Sequence, residues 1–214
     1  HSVSFFLKDL FLKIDKKIIE TIALSNLDEI KEDSMSEALK NSIDQWHVIS
    51  DKSDVEVVNL IKSLDVDILI DLNGLTEGNR VHVMKNRCAP IQICWLGYNN
   101  STGLKNMDYL IVDKNLINKN EENLYSEKIL YLPKIWNAFS RPEELPLINY
   151  STKKDSLLFS YGSFNNFAKI SDETIEVWSR IINNSNSQIY LKNSQKEASL
   201  ELKVNLIKKF KDRG

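Results

Sequence analysis

The chain has 214 residues, 42% of them hydrophobic and 27% charged, enough to bury a substantial core in one large domain or one and a half. Its 28 lysines and arginines stand against 30 acidic residues, and the formal net charge of -2 argues against the broad basic field that holds nucleic acid or an anionic membrane. No apolar run approaches the roughly 20 residues that span a bilayer, and the opening HSVSFFLKDLFLKIDKK is broken by charges too early for a signal-peptide core.

Helical and strand-like pieces alternate along the chain, a rhythm that predicts an α/β fold with a mostly parallel sheet covered on both faces. Val3, Phe6, Leu7, Leu10 and Phe11 recur at helical spacing, and Ile18 to Ser25 reads as a strand. Ser34 to Ile43 predicts a helix, Trp46 to Ile49 a short strand, and Asp54 to Leu64 a helix whose Val55, Val58, Leu60 and Ile61 face inward. VDILIDL, from Val66 to Leu72, is a near-continuous apolar run ending at Asn73 and Gly74, the signature of a central parallel strand meeting a ligand-side loop. A helix is expected from about Gly78, then strands over Ile91 to Leu96, Tyr109 to Val112 and Ile129 to Leu132.

Pro133, Pro142 and Pro146 interrupt the pattern between Pro133 and Tyr150, which places a domain connection there and divides the chain into residues 1–145 and 146–214. The rhythm then restarts with a strand over Leu157 to Tyr161, a loop over Gly162 to Ile170 and a helix from Asp172 to about Ile182. Ser171 is its expected N-cap, and Asp172 and Glu173 complement the helix dipole. A strand over Gln188 to Leu191 and a helix over Gln195 to Lys211 follow. The chain opens on His1 rather than methionine and stops at Gly214 directly after a helical pattern, so both ends read as cut.

Two cysteines, Cys88 and Cys94, sit in or beside an apolar run, so they read as buried small side chains in a reducing, cytoplasmic compartment. His82 is the nearest further ligand and no fourth stands at zinc-like spacing, so no metal site is expected. His47 and His82 read as structural, and Trp46, Trp95, Trp136 and Trp178 as core aromatics.

Chemistry is expected in three strand-end loops: NGLTEGNR at Asn73 to Arg80, GYNNSTG at Gly97 to Gly103, and GSFNNFAK at Gly162 to Lys169. In the second, Gly97 and Gly103 would let backbone approach a bound group, while Asn99, Asn100, Ser101 and Thr102 supply short donors and acceptors. In a two-domain α/β protein, such loops from facing domains line one cleft.

Taken together and in order, HSVSFFL, DILIDLNGLTEGNR, RCAPIQICWLGYNNSTGLKNMDYLIVD, YSEKILYLP and FSYGSFNNFAKISDETIEVWSRII resemble the catalytic region of the O-linked N-acetylglucosamine transferase family. That family includes plant SPINDLY-like and bacterial tetratricopeptide-bearing members, and the resemblance covers nearly the whole chain. It implies a GT-B glycosyltransferase: an α/β protein with a Rossmann-like parallel-sheet domain and the beginning of a second. Such an enzyme inverts the anomeric centre without metal or cofactor, joining a UDP-sugar donor to a protein or peptide acceptor between the two domains. In-line attack while UDP leaves builds charge on the diphosphate, and without a metal a lysine and helix N-termini must balance it.

Residue by residue, the resemblance matches Lys169 to the family lysine on the diphosphate. It matches His1 to the histidine of the first motif, beside sugar and acceptor, for which a general-base role is among the proposals. Leu96 and Gly97 match positions that pack against the donor sugar, Tyr98 and Asn99 continue the same substrate-binding stretch, and Asn166 stands where animal members place a glutamine on the donor. Three positions depart from the family: Leu75, where His or Tyr is common, Asn99, where proline is, and Ala168, where animal members have Tyr. These departures change the polar contacts that set sugar and acceptor preference.

The implied function is transfer of N-acetylglucosamine from a UDP-sugar to Ser or Thr hydroxyls. Asparagine-directed transfer of glucose from UDP-glucose and a noncatalytic α/β interaction module are the alternatives. The family's uridine contacts lie mostly beyond Gly214, and helical repeats of roughly 34 residues are expected upstream. The 214 residues alone are therefore expected to be inactive.

Overall fold

The first apolar stripe folds as α1 (Ser4–Lys13), which buries Leu7. β1 is shorter than the sequence suggests, Ile22–Ser25. Asp15 is the reason: its Oδ1 accepts from the Lys17 N–H and its carbonyl from those of Ile18 and Ile19, a turn that leaves both isoleucines exposed. Asp33 caps α2 (Ser34–Lys40) by accepting from the backbone of Met35 and Ser36, and β2 follows at Gln45–Val48. Ser53 starts α3 (Asp54–Ser63) in a reciprocal box with Glu56. Val57, Val58 and Ile61 form its inward stripe. At about 100° per residue Val55 falls off that stripe and is exposed, contrary to expectation.

The remaining elements of the first unit are β3 (Ile68–Asp71), the single turn α4 (Val81–Met84), β4 (Ile91–Cys94), β5 (Tyr109–Val112) and β6 (Lys128–Tyr131). The structure, a computed structural model, describes residues 3–141, 158–193 and 200–213. Among these, every strand pairing is parallel: β1 with β2, and a four-stranded sheet in the order β3-β4-β5-β6. β3 is thus an edge strand of that sheet rather than a central one. On one face Leu69, Cys94, Leu110 and Val112 pack with Val57, Ile61, Val83 and Met84 in a single core cluster. The opposite face buries Ile93 but carries exposed Ile68, Ile70, Ile91 and Leu130, so among the described residues it is covered only in part, short of the expectation. α1 and α2 instead join Leu96, Leu72 and Trp95 in a second cluster through Leu7 and Leu39.

The chain divides into two compact units, His1–Leu145 and Pro146–Gly214. In the second, β7 (Phe159–Ser163) pairs in parallel with β8 (Ser187–Leu191), and α5 (Asp172–Ser185) and α6 (Leu200–Lys211) complete it. β7 runs on through Gly162 and Ser163, which the sequence reading placed in a loop. Ser171 caps α5 by accepting from the Thr174 N–H, and α5 continues past Ile182 until Asn186 turns left-handed at φ 43°. His1, Pro142, Pro146, Leu157 and residues 195–199 lie outside the described residues.

Candidate functional site

Where β3 and β4 end, side by side in register, their loops interlock. A Cβ on Gly97 would stand 2.1 Å from the carbonyl oxygen of Leu72, and one on Gly74 would stand 2.3 Å from the Cβ of Tyr98. Gly97 is therefore side-chain-free because the neighbouring loop occupies the space. Just before it, Leu96 adopts φ 81°, a left-handed backbone unusual for a residue with a side chain, while that side chain is buried among Leu7, Leu39 and Ile43. Core packing thus holds the backbone at the head of the loop in a conformation it would not choose alone.

Three buried carboxylates support these strand ends. Asp71, the last residue of β3, accepts from the Asn73 and Gly74 N–H groups at 3.0 Å each. Burial raises its pKa, and the two backbone donors offset this only in part. Asp113, just after β5, accepts from Asn115, Leu116 and Trp136. Burial presses it upward too, but those donors win and hold it below the usual carboxylate range. Glu127, just before β6, accepts from the Thr102 N–H and Ser101 hydroxyl at 2.8 Å each, and from the Thr102 hydroxyl. Burial would raise it, yet the Thr102 and Ser101 donors keep it low. Cys94 lies between two of these acids: burial, then the charges of Asp71 and Glu127, push its thiol up to about 12. It is a fully buried, free, unreactive thiol, and Cys88 is likewise free and buried.

Of the expected site residues in this unit, Leu96 faces the core, Tyr98 is half-buried against Gly74, and Asn99 is exposed at the loop tip. In the second unit, Asn166 and Lys169 bracket a one-turn 3-10 helix, Phe167–Lys169, anchored by buried Phe167. Asn166 Oδ1 accepts from the Ala168 N–H at 3.0 Å, and Lys169 is exposed with no ion pair to a described residue. The adjoining N-terminus of α5 is already compensated by the Ser171 cap and by Asp172 and Glu173. Lys169 is thus the uncommitted positive charge of this loop. Among the described residues no group of three His, Cys, Asp or Glu is placed to hold a metal, and no helix is long and apolar enough to cross a membrane.

Sequence reasoning passed over Arg80. Its guanidinium reaches Asn26 after β1, the Ile49 and Lys52 carbonyls after β2 and the Asp54 carboxylate of α3, gathering the ends of three elements behind the 73–80 loop. The strand-end acids were also missed, although the runs DLNG and VDKN carry a signal: an acid one or two residues before a turn.

Parallel sheets with polar loops at their strand ends define an α/β, Rossmann-like protein. Over its whole length the chain superposes on a mutant of the Thermobaculum terrenum O-GlcNAc transferase with a TM-score of 0.90 at 25% identity, covering 40% of that chain, which places it in the GT-B class. Residues 15–141 match glycosyl transferase family 41, and the chain belongs to that family. It is 30% identical over 186 residues to the probable UDP-N-acetylglucosamine–peptide N-acetylglucosaminyltransferase SPINDLY of Hordeum vulgare, covering 85% of this chain and 20% of that one. A shorter stretch of 68 residues is 41% identical to the UDP-N-acetylglucosamine–peptide N-acetylglucosaminyltransferase of Caenorhabditis elegans, over 32% of this chain and 6% of the relative. The chain spans about a fifth of the length of the SPINDLY relatives it matches.

Proposed function

We propose that these residues form the donor-side core of a longer, inverting, metal-independent protein O-glycosyltransferase that moves N-acetylglucosamine from a UDP-sugar to Ser or Thr hydroxyls. The observation that carries this reading is the interlocked, carboxylate-held loop pair at the ends of β3 and β4 in a chain of family 41. A loop fixed this way presents Tyr98, Asn99 and the backbone after Gly97 to a sugar with little reorganisation on binding. Lys169 supplies the positive charge that balances the negative charge growing on the departing diphosphate, and Asn166 lies three residues before it in sequence to meet the donor. His1 is proposed to stand near the acceptor hydroxyl. The donor and acceptor follow the names of the relatives, and a cytoplasmic setting follows the buried free thiols.

The test is Lys169→Ala in the full-length protein. Turnover with UDP-N-acetylglucosamine and a Ser/Thr peptide is expected to fall well over tenfold, on the order of 3 kcal/mol in the transition state. The melting temperature should not move, because the side chain is exposed and unpaired with any described residue. An unchanged rate removes Lys169 from the mechanism. Turnover confined to UDP-glucose with Asn peptides favours N-glucosylation, and a parent inert with every UDP-sugar favours a binding module.

A further inference from the structure

The Glu127 carboxylate is 3% exposed, yet no described lysine or arginine pairs with it. Among the described residues its partners are hydroxyl or backbone donors, its own N–H and groups of the 97–103 loop and of Ser126 beside it: Thr102 N–H and Oγ1 on Oε1, Ser101 Oγ (2.8 Å) and Ser126 Oγ (3.0 Å) on Oε2. Ser101 Oγ extends the network by accepting from the Gly103 N–H at 3.1 Å and the Ser126 N–H at 3.2 Å. A buried carboxylate without a counter-ion is a costly way to hold a turn. Its particular merit is that it accepts on both oxygens and donates nothing, so donors from two segments converge on one rigid point. The front of the same loop is already fixed by Gly97 against Leu72, and only its rear half depends on this network.

We infer that Glu127 is a positioning residue of the donor site: it locks Ser101 to Gly103 so that the Tyr98–Asn99 stretch is presented in one conformation. This rests on the reading that the loop meets the donor, and two independent measurements separate the claims.

The first needs no activity. In the 214-residue chain, Glu127→Gln replaces one of the two acceptor oxygens on which these donors converge by an amide nitrogen that only donates. The Thr102 and Gly103 amides should then exchange with solvent at least tenfold faster than in the parent, while those of Cys94 and Leu110 stay within twofold. Thr102→Val leaves the acid in place and removes the hydroxyl's bond to it, along with the bond that hydroxyl accepts from the Leu104 N–H, and should give a smaller change in the same amides. The two changes combined should be less than the product of the singles. Loop amides that do not respond, or a uniform acceleration across the first unit, overturn the assignment.

The second measurement is made in the full-length protein. Glu127→Gln should raise KM for the UDP-sugar at least tenfold while kcat changes less than threefold, and Glu127→Asp should recover part of the loss. A loosened loop with donor KM unchanged overturns the role in donor positioning. If the parent transfers nothing from any UDP-sugar, the functional reading of the preceding subsection falls, and the exchange contrast alone decides whether Glu127 sets the loop.

Discussion

The strand-end loops of the two units are built in opposite ways. In the first, the loops after β3 and β4 are pressed together at Gly74 and Gly97, the one tied to Asp71 at the end of its own strand and the other to buried Glu127 from 25 residues further on. In the second, the loop that carries Asn166 and Lys169 has an Asn166 contact two residues away and one apolar anchor, Phe167, packed with Ile175 and Leu206. Steric interlock and converging hydrogen bonds fix a shape before anything binds, whereas a single apolar anchor sets a turn but leaves the charged tip free to reach. Each arrangement suits the part proposed for its own loop, a fixed shape in the first unit and a reaching positive charge in the second.

Attacking the rigid loop should do the most damage. Gly97→Ala places a methyl group on the Leu72 carbonyl, and because backbone cannot step aside cheaply the first unit should lose about 3 kcal/mol. Denaturant unfolding read from Trp46, Trp95 and Trp136 reports that unit, and a loss below about 1 kcal/mol would show that the two loops yield easily. Ser171→Ala, which strips the cap from α5, should cost the second unit about 1 kcal/mol, read from Trp178 with the first unit's signal unmoved.

A finer contrast is between two acids that end strands of one sheet. The raised pKa of Asp71 means its contribution is present at low pH and lost as pH rises through its folded value. The depressed pKa of Asp113 means its contribution is present at neutral pH and lost as pH falls through its folded value. Between pH 7 and about pH 3, where carboxylates titrate, the stability advantage of the parent over Asp113→Asn should therefore shrink on acidification. The parent should gain on Asp71→Asn over the same range. Parallel slopes would mean that the backbone donors, not burial, dominate both sites. The smallest effect is expected at Gly162, inside β7 with nothing within 4 Å of a new Cβ: Gly162→Ala should stabilise the second unit by about half a kcal/mol.

What the sequence made legible follows from what is local. Tyr109 to Val112 reads as a strand and is one, because the apolar run is bounded by Asp108 and Asp113. Ser171 reads as a cap because the N–H that donates to its hydroxyl lies only three residues on. Ile18 and Ile19 misled because apolar content suggests a strand, while a single acid at Asp15 bends the chain first. The steric reason for Gly97 was invisible because Leu72 lies far off in sequence, and a bound sugar was the nearest explanation to hand. Glu127 drew no reading from the sequence, because Ser101 and Thr102 meet it only in the fold. Asp172 and Glu173 were legible as the charges spent on α5, since they follow the Ser171 cap directly.

Leu96 is caught between two requirements that few side chains meet. Its positive φ excludes branching at Cβ, and the pocket formed by Leu7, Leu39 and Ile43 demands bulk. Glycine would relax the main chain and leave a void, and valine or isoleucine would fill part of the void and refuse the main chain. Mutational drift at this position is therefore funnelled toward long, unbranched apolar residues such as methionine, and a saturation library scored for folded protein should recover little else.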